Sequence, residues 1–209
     1  MRSLLLALVF ALVAPALPAA AGQTLTIAKA RALPLGSVVT VGGTVTTPSG
    51  AFESSFFDKG FGLQDGTAGI YVSAADDVHA TPGRRASVTG TLKDSFGLLI
   101  LVPTDVSLGR QGLPVFPRWT TTAGVSESTE GRLVLVAGRV TKAPASDLPY
   151  GYKFWINDGT GEVQIFVNTQ TGIDVSRYHL GQALLVTGFS GQFDTSYEVL
   201  PRSPHDILG

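Results

Sequence analysis

The chain has no cysteine. That excludes disulfides, thiolate metal sites and cysteine nucleophiles. Charge is sparse, at 15% of residues, with 15 basic side chains against 16 acidic ones. So near-neutral a balance argues against a strongly electrostatic partner such as duplex DNA. Three histidines, His79, His179 and His205, lack His-x-x-x-His or His-Glu spacing, so no metal site and no cofactor are expected. The acids beside the Asp65 and Asp158 turns are not spaced as a calcium cage requires. Serine is common, yet no Gly-x-Ser-x-Gly elbow occurs, and no catalytic constellation points to an enzyme.

Long apolar runs are also missing. Leu4 to Val13 is apolar throughout, but a bilayer crossing needs about 20 residues. Arg2 precedes this run, and Pro15, Pro18 and Ala19-Ala20-Ala21 follow it. The pattern predicts a signal peptide over 1–21, cleaved after Ala21, and export to the periplasm or beyond. No cysteine follows the run, so no lipid anchor is expected. The remainder carries 14 basic and 16 acidic residues, and no membrane span is expected in it.

What is present in abundance is glycine, at 25 residues, and turn chemistry between short apolar stretches. The stretches repeat with a period of about 95 residues. GSVVTVGGTVT at Gly36–Thr46 returns as GRLVLVAGRVT at Gly131–Thr141. Each reads as a long first strand, bent near Gly43 and Gly138 so that it serves both sheets of a small barrel. FGLQDGTAGIYV at Phe61–Val72 returns as FWINDGTGEVQIFV at Phe154–Val167, each a hairpin turned by Asp-Gly. Ile70-Tyr71-Val72 is matched with Ile165-Phe166-Val167. Val-Thr-Gly recurs at Val88–Gly90 and Val186–Gly188 on a fourth strand, and Leu98–Val102 and Tyr197–Leu200 supply the fifth. Thr26 is expected to cap a brief lead-in helix, with a weaker equivalent after Thr122.

These motifs, V-x-V-x-G-x-V at Val39–Val45 and Val134–Val140, Leu-Gln-Asp-Gly-Thr at Leu63–Thr67 and Asn-Asp-Gly-Thr-Gly at Asn157–Gly161, resemble the tandem OB-fold modules of bacterial exported proteins. The resemblance implies an all-β chain of two five-stranded Greek-key barrels: 22–109, then a linker with a helical lead-in at 110–130, then 131–209. One continuous β-sandwich is the alternative. Some such modules accompany secreted nucleases, but no nuclease motif stands in this sequence.

In an OB-fold the ligand lies on the face of strands two and three. Alternation turns Tyr152, Phe154, Ile156, Ile165 and Val167 inward and leaves Lys153, Trp155 and Phe166 outside. Trp155 and Phe166, with Lys153 beside them, suit single-stranded DNA or RNA, which stacks on aromatic rings for about 1–3 kcal/mol per base. Arg139 and Lys142 are nearby cations, and Tyr71 is the first copy's aromatic on the equivalent face. Further aromatics, Phe52, Phe56, Phe57, Phe96, Tyr150, Phe193 and Tyr197, stand in the loops around the expected cleft. Each copy nevertheless holds six basic and seven acidic residues, without the basic excess of a dedicated nucleic-acid channel. The same face would serve an oligosaccharide, or another protein surface, the sister module included.

Overall fold

The computed structural model describes residues 23–52 and 57–209; the expected signal peptide and Phe56 lie outside the described residues. The chain begins with β1 (Thr24–Leu25) and the single-turn helix α1 (Ile27–Arg31). Thr26 caps α1 by accepting a hydrogen bond from the Lys29 N–H, and Ile27 and Ala30, three apart, bury its inner face. Strands β2 (Val38–Val45), β3 (Phe61–Gln64), β4 (Gly69–Val72), β5 (Arg84–Ser95) and β6 (Leu98–Gln111) follow. They pair as β2-β3-β4-β6-β5, and β5 returns to β2 to close the ring.

The second half repeats the scheme. Strand β7 (Arg118–Trp119) runs parallel to β8 (Leu133–Asp147), as β1 does to β2. Between them Thr122–Gly124 forms one 3-10 turn, capped by Thr121. Strands β9 (Gly151–Asn157), β10 (Glu162–Asn168), β11 (Ala183–Phe193) and β12 (Ser196–Leu200) complete a second ring in the order β8-β9-β10-β12-β11, with β13 (Ile207–Leu208) on the outside of β11. The chain is therefore two tandem five-stranded barrels of OB type. The sheets close separately, so it is not one sandwich. Among the described residues no helix is long and apolar enough to cross a membrane.

The first strand of each barrel bends where glycine predicts. Strand β2 pairs with β5 through Val38–Thr44 and with β3 only from Thr44 onward. Strand β8 changes partner at Arg139, just after Gly138. A Cβ at Gly43 would stand 2.7 Å from the Gln64 carbonyl oxygen, which explains the glycine.

The Asp-Gly-Thr turns do more than reverse the chain. Asp65 Oδ2 accepts from the Ile27 N–H at 2.8 Å, while Oδ1 accepts from the Thr67 and Ala68 N–H groups. Asp158 repeats this on the second lead-in, accepting from the Thr122 N–H at 3.1 Å and its hydroxyl at 2.6 Å. Bonds from the Thr122 and Thr160 hydroxyls hold Asp158 well below the usual carboxylate range. Each turn thus clips a lead-in segment to its barrel. Of the two turn glycines, Gly66 and Gly159, only Gly159 adopts a positive φ, of 101°; in the first copy the Asp65 side chain organises the turn without it.

Each barrel has its own core. Val41, Phe61, Leu63 and Ile70 are among the buried side chains of the first, and Val136, Phe154, Ile156 and Ile165 of the second. A third cluster joins the barrels: Phe52, Tyr71 and Ile100 from one meet Phe189 and Leu200 from the other. At this junction two glycines let the backbones touch. A Cβ on Gly69 would lie 1.9 Å from the Gly131 carbonyl oxygen. We expect Gly69→Ala to lower stability by about 1–3 kcal/mol in a urea melt, as overpacking does. Gly42→Ala, where the nearest atom is 3.6 Å away, is the control and should cost distinctly less.

Candidate functional site

The outer face of strands two and three in the second barrel exists as alternation predicts, but the first barrel covers part of it. Across the sheet, Trp155 on β9 opposes Gln164 on β10, Gln164 opposes Glu198 on β12, and Glu198 opposes Gly191 on β11. In the next row Lys153 opposes Phe166. The first barrel presents its equivalent row, Gly62, Tyr71, Ile100 and Lys93. Between the barrels lies a cleft of about 580 Å³.

Aromatic rings dominate its walls. Phe96 and Phe193, at the tips of the two β5–β6 and β11–β12 hairpins, stack with centroids 5.3 Å apart and planes 25° from parallel. They are 58% and 56% exposed. Phe96 takes a left-handed backbone conformation (φ 50°), unusual for so bulky a side chain. The tips are tied by the Asp194 N–H, which donates to the Phe96 carbonyl at 2.6 Å. Phe166, Phe189 and Tyr71 line the cleft further on.

The polar lining is mainly amide and carboxyl, with the hydroxyls of Ser95, Ser196 and Tyr150 and the Lys153 ammonium. Glu198 is only 7% exposed. Its Oε2 accepts from Gln164 Nε2 at 2.7 Å, and its Oε1 meets no donor among the described residues. Burial pushes the carboxyl up to about 7, and Asp147 pushes it the same way against the opposing pull of Gln164 and Lys153. The matching position in the first barrel's row is Ile100, so the architecture does not need an acid there. Asn168 Oδ1 and Gln192 Oε1, from two further residues of the lining, are buried without a hydrogen-bond partner among the described residues.

The six residues singled out from the sequence divide into three places. Phe166, Lys153 and Tyr71 line the cleft. Lys153 is salt-bridged to Asp147 at 3.2 Å. Tyr71 is 1% exposed, and its hydroxyl donates to the Phe52 carbonyl and to Asp58, so it serves the junction and offers no stacking face to solvent. Register also shifts its partner: Leu63 opposes Ile70, as Ile156 opposes Val163, which makes Tyr71 the counterpart of Gln164, two residues before Phe166. Trp155 and Lys142 stand apart, with Trp155 on a smaller hollow of about 340 Å³. The Lys142 ammonium sits 4.8 Å from the Trp155 ring centroid and bonds Glu162 at 2.6 Å. Arg139 points elsewhere, donating to the Gly181 carbonyl at 2.8 Å.

Sequence reasoning misses Glu198, although a signal is there. It lies between Tyr197 and Val199 on a short strand, so alternation turns it outward onto the row of Trp155. Nothing local says that another barrel buries it.

No family model matches the chain, and no curated protein matches it. Among solved structures it is similar to the hypothetical protein ygiW from E. coli, at 17% identity over 42% of this chain and 91% of that one, with a TM-score of 0.34. It is similar to p202 HIN1 in complex with 12-mer dsDNA, at 13% identity over 81% and 91%, TM-score 0.40. A murine DNA binding protein bound with ds DNA gives 12% identity over 77% and 90%, TM-score 0.38. At TM-scores below 0.5 these likenesses carry no weight for the ligand.

Proposed function

We propose that this is an exported, non-enzymatic binding protein that holds an oligosaccharide in the cleft between its two OB-type barrels. One observation carries this. The cleft walls are aromatic rings, and the polar groups among its described residues are mainly amides and carboxyls with a single cation, Lys153, already paired with Asp147. Aromatic faces with fixed hydrogen-bonding side chains suit sugar rings. A phosphodiester strand in the same place would meet Glu198 and Asp147 with no unpaired cation among the described lining residues to offset them.

Single-stranded DNA or RNA is the second reading, and the Trp155–Lys142 pair favours it. The ring is a stacking surface, and the ammonium beside it would meet a phosphate on leaving Glu162. Both are tested by titrating the full chain with a glycan array and with labelled oligonucleotides at low and high salt. The cleft reading expects a glycan to bind and Phe193→Ala to weaken it about tenfold. Oligonucleotide binding lost on Trp155→Ala, with no glycan bound, would replace it by the second reading.

A further inference from the structure

We infer that the sugar held in the cleft carries a free amine, whose ammonium group seats against Glu198 Oε1. This rests on the oligosaccharide reading above and narrows it. Three acceptors of the cleft are left without a donor: Glu198 Oε1, Gln192 Oε1 and Asn168 Oδ1 all lack a partner among the described residues. Gln192 is fixed in this sense, because its Nε2 already donates to the Asp194 carbonyl at 2.7 Å. Asn168 Oδ1 and Gln192 Oε1 are buried, where an unpaired acceptor is costly, and a ligand rich in N–H and O–H donors removes that cost.

Charge narrows the donor further. Among the described residues, the charged side chains sharing the cleft are Asp147, Lys153 and Glu198. Lys153 and Asp147 answer one another at 3.2 Å, which leaves Glu198 as the charged-type side chain of the cleft without an ion-pair partner. Hydroxyls donate to a carboxylate but do not neutralise it; an ammonium does both. Phe166, half-buried on the wall of the same space, presents an aromatic ring, and ring faces attract a cation. The high proton affinity that burial gives Glu198 fits a carboxyl that ionises fully only when a cation arrives. The sister barrel, with Ile100 in this place, fills the position by apolar packing.

The test is calorimetric titration of the full chain with tetramers of glucosamine, N-acetylglucosamine and glucose. On the wild type the glucosamine tetramer is expected to bind about tenfold tighter than the other two, the size of one charge-assisted bond. Glu198→Gln should remove that advantage, so that on the variant the glucosamine and glucose tetramers bind within about twofold of one another. Glu198→Ile, which installs the sister copy's residue, should do the same and covers the case in which the amide substitution perturbs the fold; a melting curve confirms that each variant is folded. A glucose tetramer that binds as tightly as the amine, or an advantage that survives both substitutions, overturns the amine and leaves the oligosaccharide reading in place. No binding by any sugar, here and across the glycan array, overturns both.

Discussion

Replacing Arg31 with alanine is expected to lower stability by about 3–5 kcal/mol, the cost of stranding a buried charge. Arg31 leaves α1 of the first barrel and reaches Glu130, ahead of the second barrel, at 2.9 Å, and Glu127 at 3.1 Å. The Glu130 side chain has no solvent exposure. Its Oε1 also accepts from the Leu99 N–H at 3.2 Å, while its Oε2 has no partner among the described residues. Burial raises the Glu130 carboxyl even with Arg31 present, and Arg31 is the main influence opposing that rise. Without Arg31 the carboxylate stays in a dry junction, or takes a proton. The loss should therefore be largest near pH 8 and smaller near pH 5, where protonation relieves the charge. Urea melts of Arg31→Ala at the two pH values read this directly. Replacing both partners with methionine should recover much of the loss, because the well-packed apolar pair leaves no charge behind. A loss under about 1 kcal/mol would place this ion pair among the ordinary surface ones.

Glu198 predicts a pH effect. Its carboxyl lies at about 7 in the folded chain against an ordinary 4.5. An acid with a raised folded pKa holds its proton longer than the unfolded chain does. Its contribution is complete below about pH 4.5, falls as pH rises towards 7, and is flat beyond that. The fall is about 3 kcal/mol at roughly 1.36 kcal/mol per unit. Comparing wild type with Glu198→Gln cancels the other titrating groups, Glu130 included. The variant is expected to gain on the wild type by about 2.5 kcal/mol between pH 5 and pH 8, because part of the fall precedes pH 5. Parallel stability profiles over that range would show that Glu198 is not desolvated in solution.

Much of the architecture was legible in the residues. The two Asp-Gly-Thr hairpins, Gly43 and Gly138, and the paired Val-Thr-Gly triplets marked two barrels, because turn chemistry and two-residue alternation are local properties. Alternation also placed Trp155, Lys153 and Phe166 on one outer face. It did not show that Phe166 and Lys153 would enter a cleft while Trp155 faced a separate hollow. It misplaced Tyr71 by two residues, since the likeness of Ile-Tyr-Val to Ile-Phe-Val preserves the face but not the register; hydrogen bonding to the neighbouring strand sets register. Strand β8 runs on to Asp147 and β6 to Gln111, both beyond the apolar stretches, because cross-strand pairing extends strands through residues whose own pattern is weak.

The chain's own residues determined the repeat, the bends and which side chains turn inward, all set by interactions within a few residues or between adjacent strands. Only the packing of one barrel against the other decided the rest. Gly69 against Gly131 and Arg31 against Glu130 bring two similar faces together. That contact buries Tyr71 as structure and encloses Glu198 in a low-dielectric cleft, where a carboxyl that would be ordinary on an open sheet is desolvated and holds its proton more tightly.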